Sequence, residues 1–191
     1  MNDTMVQQAI KALQNGGVII YPTDTAFAIG CRMDDTHAVD RLFSIRKRPR
    51  QQATPVLVSG ESQALTYFNH PKDIVRHMMQ KYWPGALTIV SPCFKNLVYS
   101  PIRGDGEKIG LRMPNHKTAL ALIAGAGVPL LGPSANFHGL PTPYSYESLD
   151  PALCKLVDVV VHGECSVGIA STVVDVSGEM PRIIRQGAVT L

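Results

Sequence analysis

The chain has 191 residues, of which 45% are hydrophobic and 17% charged, and its formal net charge is +3. That is enough apolar material for one domain with a real core, and too much for a disordered chain. The charge is too weak to point to nucleic acid by itself, and no apolar run approaches the length of a membrane span.

The N-terminal stretch Met1–Gln14 is polar with a helical pattern and has no signal-peptide core. Thr4 can cap a first helix that carries Met5, Val6, Ala9, Ile10 and Leu13 on one face, and Asn15-Gly16-Gly17 ends it. Val18 to Tyr21 is β-branched and apolar and predicts a buried strand, stopped by Pro22. Thr23, Asp24 and Thr25 then place small hydrogen-bonding groups at the strand end. Such a cluster is a capped turn or a ligand site. Asp35 or Thr36 caps a second helix, with Ala38, Val39, Leu42 and Phe43 inward and Pro49 closing it. Its end, Arg46-Lys47-Arg48-Pro49-Arg50, either complements the helix dipole or clamps a phosphate.

Thr54 to Ser59 reads as a strand, and Ser62–Phe68 and Lys72–Tyr82 as helices. Trp83-Pro84-Gly85 turns into a strand from Ala86 to Val90, and Ser91 to Glu107 reads as loop. Lys108 to Met113 is the next strand. Within it Arg112 needs an anionic partner if it is buried, which makes it a candidate carboxylate ligand. Asn115 caps a helix from His116 to Ala124, broken at Gly125–Gly127. Val128 to Leu131 is a strand, and Gly132 to Gly139 a loop of small residues in which Ser134 and Asn136 share one direction if extended. Glu147–Leu153 reads as helical and Leu156–Val161 as a strand. Ser171 to Val176 is a further strand, and Arg182 to Gly187 pairs back on it through a turn at Ser177–Glu179.

Strand ends thus repeatedly carry Thr, Ser, Asn or Arg. The set supplies donors and positive charge without a nucleophile–base pair, so no catalytic side chain is named. GxSxG, Walker A and GxGxxG motifs and paired-histidine metal motifs are all missing. Cys31, Cys93, Cys154 and Cys165 form no CxxC pair, so free thiols in a reducing cytoplasm are expected and a zinc site is not. Such a site binds anions and works by orientation and electrostatics, as nucleotidyl transfer requires.

Seven segments carry a resemblance: Tyr21–Thr25, Arg46–Pro49, Trp83–Thr88, Gly110–Pro114, Pro133–Asn136, Ser171–Asp175 and Ile184–Gly187. In this order they resemble the YrdC family, the threonylcarbamoyl-AMP synthases. The resemblance implies a mixed α/β domain over residues 1–191, a twisted mixed sheet flanked by helices, similar to dihydroxybutanone-phosphate synthase, in the short form. It implies synthesis of threonylcarbamoyl-AMP and pyrophosphate from L-threonine, bicarbonate and ATP with Mg2+. It also implies partner proteins that use the adenylate in tRNA modification. Thr25, Arg112, Ser171 and Ser59 fall on the threonine side. Arg46, Arg48, Lys108, Ser134, Asn136, Thr142 and Arg185 fall on the ATP side. The chain departs from the pattern at Arg46, where the family has lysine, at Ala26–Ile29, and in two extra residues between Pro49 and Pro55. RNA binding in the same basic cleft is the alternative function, and a paralogue with another carboxylate or phosphate substrate is a third. No membrane partner is expected.

Overall fold

A computed structural model of the chain describes residues 3–191. It has the expected mixed α/β class, and its strands fall into two sheets. The first has the order β2-β1-β7, built from β1 (Ile19–Pro22), β2 (Phe27–Gly30) and β7 (Val159–Val160). The second has the order β6-β3-β5-β4-β8-β9. Its strands are β3 (Val56–Leu57), β4 (Leu87–Pro92), β5 (Lys108–Arg112), β6 (Leu130–Leu131), β8 (Thr172–Asp175) and β9 (Arg182–Arg185). The two sheets touch through the bridges Ala28–Ser134 and Arg32–Leu130.

β1 is buried on both faces, and its alternation divides two cores. Ile19 and Tyr21 face α1 (Asp3–Gln14) and α5 (Lys117–Ala126), together with Leu13 and Leu122. Val18 and Ile20 face α2 (Thr36–Arg46), together with Val39, Leu42 and Phe43. The second sheet uses the same period differently. Leu87, Ile89, Ile109, Leu111 and Val174 point into the core with Met78 and Met79 of α4 (Asp73–Tyr82). Thr88, Val90, Gly110 and Val173 point the other way and floor an open cleft. One helix layer therefore covers one face of this sheet, and the other face is the site.

Several boundaries differ from the expectations. β2 was not anticipated: it pairs antiparallel with β1 across the Thr23–Ala26 turn, closed by Thr23 Oγ1 donating to Ala26 O at 2.7 Å. α1 begins at Asp3, so Thr4 lies inside the helix and not at its cap. α5 is capped by His116, whose Nδ1 accepts from Ala119 N at 3.3 Å, and not by Asn115. It also runs through Gly125, where a Cβ would stand 2.4 Å from Ile10 Cδ1, so this glycine serves the close packing of α1 on α5. The third helix is one short turn, α3 (Glu61–Leu65). The 147–153 stretch is a 3-10 turn at Tyr146–Ser148 followed by α6 (Pro151–Cys154).

Candidate active site

The cleft has two connected chambers. The inner one, about 150 Å3, is lined by the Thr23–Ala28 turn, the end of α2, the Gly132–Ser134 loop and the start of β8. The outer one, about 530 Å3, lies on the open face of β4, β5 and β8. Arg48, Pro55, Thr88 and Arg185 line both.

Four arginines line the inner chamber, Arg46, Arg48, Arg112 and Arg185, and no carboxylate does. Each is held in its own way. Lys47 takes the left-handed conformation (φ 54) at the end of α2 and points outward, which turns both Arg46 and Arg48 toward the cleft. Arg46 is 3% exposed. Its Nε donates to Asn136 O at 3.0 Å and its Nη2 to Asn136 Oδ1 at 3.1 Å, while its buried Nη1 has no hydrogen-bond partner among the described residues. Burial, and then the neighbouring charge of Arg48, pulls its pKa down to about 10. It remains charged at neutral pH, and the shift reflects how little compensates that charge. Arg48 folds over its own loop, donating to Gln52 O at 3.1 Å and Ala53 O at 2.6 Å. Arg185 donates to Ser171 O at 2.8 Å and to Ser171 Oγ at 3.0 Å.

Arg112 is buried, as is its anionic partner, the chain's own Asp24. Nη1 also donates to Thr25 Oγ1 at 2.7 Å and Nε to Gly85 O at 3.0 Å. Three sides of the guanidinium are therefore already engaged. The Asp24 signal stood in the Thr-Asp-Thr cluster, but the chain separation hid the pairing.

The remaining expected site residues divide plainly. Thr25, Ser134, Thr142 and Ser171 line the inner chamber, and Lys108 lines the outer one. Lys108 donates to Asp175 Oδ2 at 2.8 Å. Burial would raise the Asp175 pKa, but the bonds from Lys108 and Ser177 outweigh it and bring it to about 2. Asn136 lines neither chamber. Its Oδ1 accepts from Ser134 Oγ at 2.6 Å as well as from Arg46, and its Nδ2 donates to Phe137 O and Leu140 O. It is a clamp that fixes Arg46 and Ser134. Ser59 lies two residues beyond β3 and outside the linings of both chambers, and Gln63 Oε1 holds its amide at 2.8 Å and its hydroxyl at 3.2 Å.

Other lining residues were not foreseen. Thr88 shares a hydrogen bond of 2.9 Å with Ser171 Oγ. Its signal was a hydroxyl in an apolar strand. Gly110 keeps the outer floor flat, since a Cβ there would stand 3.3 Å from Thr88 Cγ2. Thr54 also lines the outer chamber.

The model of the Sua5, YciO and YrdC proteins, whose description reads "Telomere recombination", matches residues 11–187. The chain belongs to this family. It is 31% identical to the threonylcarbamoyl-AMP synthase of Bacillus subtilis over 99% of its own length and 55% of that protein's. It is 35% identical to an uncharacterized protein of Haemophilus influenzae, over 96% of this chain and 89% of that one. The chain thus spans about half the length of the first of these members and most of the second. Among solved structures, Sua5 of P. abyssi in complex with L-threonine superposes with a TM-score of 0.88 at 27% identity, covering 95% of this chain and 54% of that one. Escherichia coli YciO superposes with a TM-score of 0.87 at 28% identity, over 97% and 90%.

Proposed function

We propose that the chain makes threonylcarbamoyl-AMP, joining L-threonine, bicarbonate and ATP and releasing pyrophosphate for the modification of tRNA. The observation that carries this reading is the inner chamber with four arginines and no lining carboxylate, opening into a larger chamber with a flat, largely apolar floor. Threonine fits the inner one, where the hydroxyls of Thr25 and Ser171 can meet its own hydroxyl. ATP fits the outer one, its base over Gly110 and Val173 and its phosphates toward Arg48, Lys108 and Arg185. The complex of P. abyssi Sua5 with L-threonine and the B. subtilis synthase support the same reading.

The chemistry asks little of the side chains. The threonine amine adds to CO2 derived from bicarbonate, losing a proton. The resulting carbamate oxygen attacks the α-phosphorus, and the bond to pyrophosphate breaks. The protein contributes alignment and stabilisation of the negative charge spread over the phosphoryl oxygens. Among the described residues no group of three or more His, Cys, Asp or Glu side chains is placed to hold a metal ion. Glu107 is the carboxylate that lines the outer chamber, and it meets Lys95 Nζ at 2.9 Å. Mg2+ carried by the triphosphate would neutralise the leaving group. Chambers of about 150 and 530 Å3 suit an amino acid and a nucleotide, respectively, better than an RNA duplex.

A second reading, a paralogue acting on another carboxylate, is favoured by one observation. Arg46 stands where the family resemblance places lysine, and Asn136 locks it. One assay separates the two: incubation with ATP, Mg2+, L-threonine and bicarbonate, followed by detection of pyrophosphate and of the adenylate. Pyrophosphate release that needs both co-substrates supports the synthase. ATP turnover indifferent to both removes it.

A further inference from the structure

A third chamber, of about 500 Å3, lies where the start of α5 meets α1 and the segment that follows β7. It shares no lining residue with either chamber of the cleft. Met5, Val6 and Val161 give it an apolar wall. Lys117 and Thr118, in the first turn of α5, give it a polar one, with His116 just before them.

The first amides of a helix have no acceptor within it. In α5 the backbone ladder opens with Leu120 N donating to His116 O at 3.0 Å, and His116 Nδ1 takes the Ala119 amide at 3.3 Å. The amides of Lys117 and Thr118 are left without a partner among the described residues. Thr118 adds an independent observation. It is 9% exposed, it lines the chamber, and its hydroxyl makes no hydrogen bond to any described group. A hydroxyl this deeply buried is normally bonded, and the chamber is where a partner can reach it. Two free amides at the positive end of a helix, a hydroxyl and the Lys117 ammonium together favour negative charge. The segment after β7 adds His162, stacked on Tyr146 with ring centroids 3.9 Å apart, and the exposed carboxylate of Glu164. Glu164 opposes a bare anion and suits a ligand that also carries an ammonium.

We infer that this chamber is a second ligand site, separate from the cleft, which holds a small oxyanion on the Lys117 and Thr118 amides and the Thr118 hydroxyl. The oxyanion is a phosphate or the carboxylate of an amino acid. An amino acid with a short apolar side chain uses every wall, its ammonium at Glu164 and its side chain against Met5, Val6 and Val161. The inference does not depend on the synthase reading.

The test is titration of the full chain with inorganic phosphate and with L-valine near neutral pH, read by the imidazole NMR signals. His116 and His162 line the chamber, whereas His37, His70, His77 and His138 do not. Saturable movement of the first two signals alone is expected with at least one probe. Thr118→Val, which keeps the shape and removes the hydroxyl, should weaken that binding about ten-fold, while Thr118→Ser stays near wild type. Lys117→Gln, at an exposed position, should weaken it too, and it keeps the test decisive if Thr118→Val melts early. Movement with phosphate assigns a phosphoryl group, and movement with L-valine assigns the carboxylate of an amino acid. Arg48→Ala, which removes a cation from the cleft, should leave the titration unchanged. No saturable movement with either probe overturns the inference. So does movement that survives both Thr118→Val and Lys117→Gln. So does movement that is lost in Arg48→Ala, since the signal would then come from the cleft.

Discussion

Arg46 and Arg112 reach the same inner chamber from different elements and are almost equally buried, at 3% and 5% exposed. Their surroundings differ in one respect. Arg112 faces a carboxylate, Asp24, whereas Arg46 faces the neutral amide of Asn136. A buried cation with its own anion is a strut: its charge is spent inside the protein. A buried cation held only by neutral acceptors keeps its charge for whatever enters the chamber. The difference assigns roles. Arg112 braces the Thr23–Ala26 turn against β5 and orients Thr25, while Arg46 is left with uncompensated charge at the chamber wall, which the proposed function assigns to an anion.

The largest expected effect comes from breaking the strut. Asp24→Asn leaves Arg112 buried without its anion. Removing one partner of a buried pair costs about 3–5 kcal/mol, to be read as a lowered midpoint in urea denaturation. A loss below about 1 kcal/mol would mean that water already reaches this pair and that the contrast with Arg46 is false.

Next comes the opposite change, giving Arg46 an anion of its own. Asn136→Asp keeps the shape, and its carboxylate accepts from Arg46 and Ser134 where the amide oxygen did, but it gives up the two bonds that Nδ2 donates to Phe137 O and Leu140 O. Ligand affinity should fall about ten-fold or more, since a charge-assisted contact to the ligand is lost, with a loss of stability smaller than that of Asp24→Asn because the new anion pairs with Arg46. Titration with Mg-ATP and with L-threonine measures it. Unchanged affinity for both would show that Arg46 attracts no ligand.

These two arginines also mark where reading the sequence succeeds and where it stops. That Arg112 needs an anion follows from one charged residue in an apolar strand, and burial physics demands it wherever the strand lies. That the anion is Asp24 depends on two segments meeting across the fold, which no local pattern encodes. β1 was legible from its β-branched run, but β2 was not: Phe27–Gly30 is buried at all four positions and has no alternation to reveal it. Gly125 reads as a helix breaker until α1 is in place, when Ile10 is seen to need the space. Thr54 carries no signal at all, because the absence of a partner for its buried hydroxyl among the described residues becomes visible only once its neighbours are placed.

A smaller effect tests the back of the strut by pH. His116 caps α5 through Nδ1, which must be unprotonated to accept from Ala119 N, and its Nε2 faces Glu164 O at 3.2 Å. Its pKa is lowered, by burial above all and also by Arg112, against the raising influence of Glu164 O and Asp24. The folded state therefore favours neutral His116. Its contribution to stability is complete above the unfolded value of about 6.5 and is lost as pH falls from there through the folded pKa. Wild type should lose stability across this window by more than His116→Asn, whose oxygen can cap without titrating. Parallel slopes in denaturation at pH 7 and pH 5 would remove His116 as the source.

The smallest effect is expected at Ser59, and it bounds the site from outside. The family resemblance implies a contact on the threonine side, and in the structure its hydroxyl meets Gln63 Oε1, which also accepts from the Ser59 amide at 2.8 Å. Ser59→Ala removes the longer of these two bonds, at 3.2 Å, and leaves the shorter one to hold the turn into α3. The residue is partly exposed, so water can replace what Gln63 loses. Stability should fall by about 0.5 kcal/mol or less, at the low end for a single neutral hydrogen bond. Affinity for L-threonine should stay within about two-fold of wild type, a difference near 0.4 kcal/mol. A ten-fold loss of threonine affinity in a variant that melts normally would place the α3 turn at the ligand. The inner chamber would then have to reach beyond Leu57, and the division between a strut at Arg112 and an anion site at Arg46 would no longer account for amino-acid binding.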